Sequence, residues 1–138
     1  MDVNKDESRA PVSFDQLVAG YEFPTTSYEL NAPLISKYLE AVGGQPSPAA
    51  EFVPPLAIAA YIMTAMSQSL TLPAGSIHAA QDVEFFKLVP IGATVECRAK
   101  VAQKLQRGKL NLLILELEAL NQDREKVLSG KATLVLPG

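Results

Sequence analysis

Few side chains in this sequence have the type and spacing for chemistry. His78 is the only histidine among the 138 residues and lies in the stretch GSIHAAQDVEFF. An imidazole can act as a general acid or base near neutral pH, or can contact a ligand. Asp82 and Glu84 follow it, but two carboxylates on one strand face are more typical of a solvated surface. Glu51, just before a long apolar segment, is the other weak candidate for a catalytic base.

A second chemical feature is VPPLA, residues 53–57, at the start of that apolar segment. The first N–H groups of a helix lack partners and could hold a developing oxyanion. Pro54 and Pro55 fit a helix start, and because Pro55 has no N–H, the donors here would be Leu56 or Ala57. The equal alternative is that the prolines only begin a buried helix.

The composition argues against several partners. The chain has 12 basic and 15 acidic residues, a net charge of −3, and the basic residues do not cluster. We therefore expect neither a nucleic acid nor a membrane as a partner, the latter also because no apolar run approaches the ~20 residues that span a bilayer. One cysteine and no secretory signal predict a cytoplasmic location. One histidine and one cysteine predict no metal, and no other cofactor is expected.

The elements that must position these groups follow from periodicity. Asn31 as N-cap and a Gly-Gly pair bound an amphipathic helix. A Pro-Pro pair begins a second helix, which runs to about Ser69 and is apolar on nearly every side, as a buried helix is. A short strand precedes the helices within residues 21–30, and four strands follow them in 77–86, 94–101, 109–120 and 127–136.

This order predicts an α+β fold. We expect a single hot-dog domain over residues 13–138, with a curved antiparallel sheet wrapped around the long central helix. Residues 1–12 are polar and aperiodic, and are expected to be a disordered N-terminal arm. A helix that is apolar all round needs more cover than one concave sheet gives, so a dimer is expected.

Which way His78 faces depends on the regularity of its strand. Simple alternation places His78 on the same face as Asp82 and Glu84, away from Val83. A β-bulge near Ala79–Ala80 would reverse that facing. The sequence leaves His78 as a ligand or interface contact, a catalytic group, or a plain strand residue.

Several spaced residues resemble a known family. The Pro-Pro pair before the central helix and the later stretch GSIHAAQDVEFFKLVPIGATV resemble the MaoC-like dehydratases, most of all the FAS1-like dehydratase domain, the N-terminal hot dog of that family. The residues that carry the resemblance are Pro54, Pro55, Gly75, His78, Ala79, Gln81, Glu84, Phe85, Phe86, Pro90 and Gly92. The family's Asp after the last glycine is Ala93 here. The resemblance covers roughly residues 13–137.

The resemblance implies hydration of trans-2-enoyl thioesters to (3R)-hydroxyacyl thioesters, or the reverse dehydration, with the acyl group on CoA or an acyl carrier protein. Active members of the family carry a D-x-N-P-x-H motif after the first helix, whose Asp and His hold and activate a water. Here that stretch reads GGQPSPAA, with Gly44 in the place of the Asp and Ala49 near that of the His. The chain therefore lacks the usual dyad.

The missing dyad implies the acyl-binding half of a pair, in a homodimer or in a heterodimer with a catalytic hot-dog subunit. Substrate contacts are expected from Pro54, Pro55, Leu56, Ala57, Tyr61 and His78. Tyr61, like Met63 and Met66, is expected either to line an acyl tunnel or to pack in the core.

Two other functions stay open. A self-sufficient hydratase or hot-dog thioesterase would use Glu51, His78 or Asp82, and a non-enzymatic acyl-CoA-binding module would need none of them.

Overall fold

Two helices and two sheets make up the described part of the chain, which is residues 11–44 and 51–138 of a computed structural model. In chain order the elements are β1 (Val12–Ser13), a 3-10 turn (Phe14–Gln16), β2 (Thr26–Glu29), α1 (Ala32–Ala41), α2 (Pro55–Ser69), β3 (Leu70–Thr71), β4 (Ile77–Phe85), β5 (Thr94–Arg107), β6 (Leu110–Leu120) and β7 (Lys126–Pro137). A five-stranded antiparallel sheet has the order β2-β5-β6-β7-β4, and β1 pairs with β3 in a small parallel sheet. The predicted α+β class is confirmed.

Both ends of α1 are set by local chemistry. The side chain of Asn31 accepts a hydrogen bond of 2.9 Å from the Leu34 N–H, as an N-cap does. At the other end Gly43 adopts a φ of 79°, a left-handed conformation that favours glycine. The Gly44 N–H then donates 2.7 Å to the carbonyl of Leu39. The predicted cap and stop signals of this helix are confirmed.

The second helix packs one stripe of its surface against the sheet. Its buried residues are Ala57, Ile58, Ile62 and Met66. The last three follow the spacing i, i+4, i+8, which places them on one face. They meet the inward side chains of the central strands, such as Leu113 and Leu115, in one core cluster. In the single chain the sheet covers only one face of the helix and leaves positions such as Leu56 and Thr64 exposed, as expected for a helix that needs more cover than one sheet gives. The dimer that would supply this cover stays a prediction.

Within residues 11–44 and 51–138, β4 is an edge strand that pairs only with β7. Its register with β7 shifts between His78 and Ala80, so that His78 lies opposite Leu134, a buried residue of the helix-facing side. Past this bulge, Val83 is on the same side and Asp82 on the opposite one. Simple alternation is therefore wrong for His78, and the bulge alternative is the one observed, because one extra residue flips the side-chain order.

The N-terminal segment is held against β3 and β5. Val12 pairs with Leu70 in the parallel sheet, and Lys104 on β5 donates hydrogen bonds of 2.9 and 3.0 Å to the carbonyls of Phe14 and Leu17. The Lys104 ammonium also lies 4.2 Å from the centroid of the Phe14 ring. Residues 1–10 of the predicted arm lie outside the described residues, and the domain boundary at 13 stays a prediction.

Candidate functional site

The approach to α2 is fixed by a short backbone pairing. The Val53 N–H donates 2.8 Å to the Val89 carbonyl, and the Ile91 N–H donates 3.0 Å to the Glu51 carbonyl. Val53 and Val89 are both buried. The start of α2 is thereby held beside the loop that follows β4, so the two segments that carry the resemblance meet at one end of the molecule.

Only one of the two predicted oxyanion donors remains available in the first turn of α2. The Ala57 N–H donates 2.9 Å to the Pro54 carbonyl, and Pro54 and Pro55 have no N–H to offer. That leaves the N–H of Leu56, whose side chain is 61 % exposed. An unpaired N–H at a helix N-terminus, in the partial positive field of the helix, is suited to a carbonyl oxygen that gains negative charge.

Exposed apolar side chains occur on the two segments that this backbone pairing holds together, and we call them the apolar rim. It consists of exposed side chains on the paired segments and on the residues just after β4, namely Phe52, Leu56, Phe86 and Leu88, with exposures between 45 % and 65 %. Phe52 and Leu88 were not among the site residues predicted from the sequence. The signal was present, since FFKLV places three large apolar side chains directly after a strand, where a solvated loop would be polar.

The two weak catalytic candidates do not come together in one chain. Glu51 is exposed and lies beside Ile91, past the C-terminal end of β4. His78 is exposed and lies at the N-terminal end of the same strand, seven residues before Phe85. At about 3.3 Å per strand residue, His78 and Phe85 are roughly 20 Å apart. Glu51 lies beyond the Phe85 end, so Glu51 and His78 are too far apart to share a proton or a water.

Tyr61 is engaged in packing. Its hydroxyl donates 3.0 Å to the carbonyl of Leu34, and its ring centroid lies 5.3 Å from that of Tyr28. Burial, and to a smaller extent Tyr38, raises the pKa of the Tyr61 phenol. Met66 is buried and Met63 is half-buried against the core. These contacts fit the packing alternative for all three residues, and the acyl-tunnel alternative stays a prediction.

A groove of about 860 Å³ lies on the opposite face of the sheet from α2. A cross-strand row of alternating charge runs through it, formed by Glu22, Lys100, Glu116, Lys131 and Asp82. Most charged side chains of the groove are engaged with one another, for example Lys100 with Glu116 at 3.7 Å. Five of the nine charged side chains that line the groove are held in ion pairs with one another, and we take the start of α2, where the segments that carry the resemblance meet, as the candidate site.

Two further features concern the described residues only. No group of three or more His, Cys, Asp or Glu side chains in residues 11–44 and 51–138 is arranged to hold a metal ion. No helix in these ranges is long and apolar enough to cross a membrane.

Comparisons with known proteins place the fold. No family model and no curated protein matches the sequence. Among solved structures, the (R)-hydratase PhaJ1 from Pseudomonas aeruginosa is 18 % identical with a TM-score of 0.74, over 90 % of this chain and 84 % of that one. A MaoC-like dehydratase from Rhodospirillum rubrum is 19 % identical with a TM-score of 0.71, over 89 % and 94 %.

A third similar structure is a complex. The C-terminally truncated HadBC complex from Mycobacterium tuberculosis, a (3R)-hydroxyacyl-ACP dehydratase, is 16 % identical with a TM-score of 0.64, over 86 % of this chain and 96 % of that one. At such identities the likeness establishes the fold alone. The chain has the hot-dog fold, and this prediction is confirmed.

Proposed function

We propose that this chain is the acyl-binding subunit of a MaoC-like hydratase/dehydratase that interconverts trans-2-enoyl and (3R)-hydroxyacyl thioesters. The acyl group would be carried on CoA or an acyl carrier protein. A second hot-dog subunit would supply the Asp and His that activate water. The similarity to hydratase and dehydratase structures supports the class of reaction, and the FAS1-like subtype belongs to the same proposal.

One observation carries the assignment of the non-catalytic half. Gly44, in the place of the family's Asp, is used to close α1 through its N–H, and a Cβ at this position would lie 3.0 Å from the Leu39 Cδ2. A carboxylate therefore does not fit there without a shift of Leu39. Ala49, near the place of the family's His, lies outside the described residues. Between Glu40 and Asp82 the sequence contains only one carboxylate, Glu51.

The hydration reaction needs proton-transfer groups that a second subunit would have to supply. The reaction adds the hydroxyl of water to C3 and a proton to C2 of the enoyl thioester, so one group must take a proton from water and one must deliver a proton to C2. The residues at the start of α2 can bind and orient the substrate instead. The Leu56 N–H would donate to the thioester carbonyl, which gains negative charge as C3 is attacked. The apolar rim of Phe52, Leu56, Phe86 and Leu88 would exclude water from the acyl chain.

The partner would bind along β4. Eight of the nine residues of this strand are exposed, and one side of its backbone pairs with no strand in the described part of the chain. An exposed edge of this length is a template for pairing with another chain. Antiparallel pairing would bring the beginning of the partner's edge strand beside the end of β4, close to the start of α2. The partner can then contribute groups to the site that this chain lacks.

The test is an assay of the purified chain with a short trans-2-enoyl-CoA, together with calorimetric binding of a saturated acyl-CoA. We expect binding without hydration, and hydration when a hot-dog subunit that carries D-x-N-P-x-H is added. Turnover by the chain alone would contradict the proposal, and His78→Ala and Glu51→Gln would then identify the groups responsible. Absence of acyl-CoA binding would remove the acyl-binding role. Binding that no dyad-bearing subunit converts into turnover would favour a non-enzymatic module.

A further inference from the structure

We propose that the β4 edge selects a chain other than itself, a hot-dog partner whose edge strand carries outward-facing Lys or Arg side chains. This inference rests on the proposed function, because it specifies the partner that the acyl-binding half requires. Outward here means the sheet face opposite α2. The charges that β4 presents and the registers in which two copies of β4 can pair determine this selectivity.

The outer face of the sheet leaves two carboxylates at its open edge. On β5, β6, β7 and the turn between β6 and β7, charged side chains form ion pairs at 2.8 to 4.0 Å. The residues involved are Glu96, Arg98, Lys100, Glu116, Glu118, Arg124 and Lys126. Asp82 and Glu84 on β4 form no ion pair within 4.0 Å with any described residue. Asp82 lies opposite Lys131 in the sheet, whereas Glu84 lies opposite Ser129, so Glu84 has no cation across from it.

A second copy of β4 cannot compensate these charges. The strand reads IHAAQDVEF and contains no Lys or Arg, and the bulge turns its one imidazole to the inner face. With Val83 opposite its own copy, Asp82 faces Glu84 of the other chain twice. With the pairing moved by two positions, Asp82 faces Asp82. Like charges directly opposite destabilise a strand pair.

The register with the longest overlap puts Gln81 opposite Gln81. Asp82 then faces Ala80 and, beyond the bulge, Glu84 faces Ile77 of the other chain. No charge is compensated in this register either. The inner-face residues Gln81, Val83 and Phe85 are neutral and would accept any apolar partner strand. Discrimination between partners therefore comes from the outer row, where a basic side chain on the partner turns both carboxylates into attractive cross-strand contacts.

The decisive variant is Glu84→Lys, studied in the full chain. With Val83 opposite its own copy, this change replaces two carboxylate pairs by two contacts between Asp82 of one chain and the introduced ammonium of the other. By sedimentation equilibrium at low salt, we expect self-association at least roughly tenfold tighter than for the wild type. Added salt should weaken this association. Glu84→Gln should give an intermediate value, since it removes repulsion without adding attraction.

Control variants distinguish an effect of pairing along the β4 edge from an effect of the changed net charge. Glu40→Lys on exposed α1 changes net charge equally and should leave self-association at the wild-type level. Gln81→Pro in the Glu84→Lys background should abolish the gain, because proline cannot donate along the edge. A labelled wild-type chain should also bind the chain with both Asp82→Lys and Glu84→Lys more tightly than it binds itself.

Three outcomes would each overturn the proposal. The wild type could self-associate as tightly as Glu84→Lys, Glu84→Lys and Glu40→Lys could have equal effects, or no variant could increase association. No thioester is present, so this outcome is independent of the hydration assay.

Discussion

The hydroxyl of Tyr61 on α2 donates a hydrogen bond of 3.0 Å to the Leu34 carbonyl in α1. The same ring lies 5.3 Å from Tyr28 on β2, at an angle of 37°. One side chain therefore joins both helices to the sheet. This contact therefore fixes the position of α1 (Ala32–Ala41) relative to α2 (Pro55–Ser69).

Tyr61→Phe should lower the free energy of unfolding by about 1 kcal/mol, the usual net value of a hydrogen bond, while the ring packing is kept. Tyr38→Phe is the matched control, since the Tyr38 hydroxyl bonds to no described residue. Urea unfolding followed by circular dichroism measures both. Equal losses in the two variants would show that the Tyr61–Leu34 bond contributes nothing of its own.

Cys97 makes stability fall at alkaline pH. Burial, and then the neighbouring Glu96, raises the pKa of its thiol to about 12. In the unfolded chain a thiol ionises near its ordinary value of about 8.5. The thiol's contribution is thus complete below that pH and is lost as the pH rises from about 9 towards 12, because only the unfolded state releases the proton there.

Cys97→Ala should therefore cost stability at pH 7.5, through the lost side chain, and cost progressively less as the pH is raised to 10.5. Urea unfolding of both proteins across this range measures the difference, and a thiol reagent should react with native wild type only as it unfolds. The other alkaline groups titrate equally in both proteins. A difference that stays constant with pH would contradict the expected linkage.

Local signals made most of the fold predictable. Asn31, the Gly-Gly pair and the Pro-Pro pair bound the helices through chemistry that involves only near neighbours in sequence, and these predictions hold. His78 shows the limit, because a bulge is a property of the pairing between β4 and β7, and alternation within one strand cannot reveal it. The choice of Leu56 over Ala57 as donor likewise required the Ala57–Pro54 hydrogen bond, which is visible only in the folded turn.

Lys104 shows the same limit at long range. It lies about 90 positions from Phe14 in sequence, so no periodicity links the two, yet its ammonium holds two carbonyls of the N-terminal segment. Lys104→Met keeps the apolar stem and removes the charge. We expect a loss of roughly 1 to 2 kcal/mol, given that hydrogen bonds to charged groups are stronger than neutral ones and that this group is half-buried.

The loss should be local. Amide hydrogen exchange should speed up in residues 12–17 and in β3 before it changes in β6, since the clamp joins only the small sheet and the 3-10 turn to β5. Lys109→Met, on an exposed turn, is the control. A uniform loss of protection in β6 would mean that Lys104 supports the whole core instead of this segment.

Leu56 allows binding to be separated from stability. Leu56→Glu places a carboxylate in the first turn of α2, where the helix dipole favours a negative charge by about 0.3 to 1 kcal/mol. Because the side chain is 61 % exposed, little packing is lost, and the thermal midpoint should stay level or rise.

The carboxylate of Leu56→Glu would also lie beside the thioester carbonyl and within the apolar rim. Binding of a saturated acyl-CoA should weaken at least tenfold by calorimetry. Leu56→Gln, similar in size and neutral, should weaken it less. Unchanged affinity in the stable Leu56→Glu protein would move the acyl site away from the start of α2.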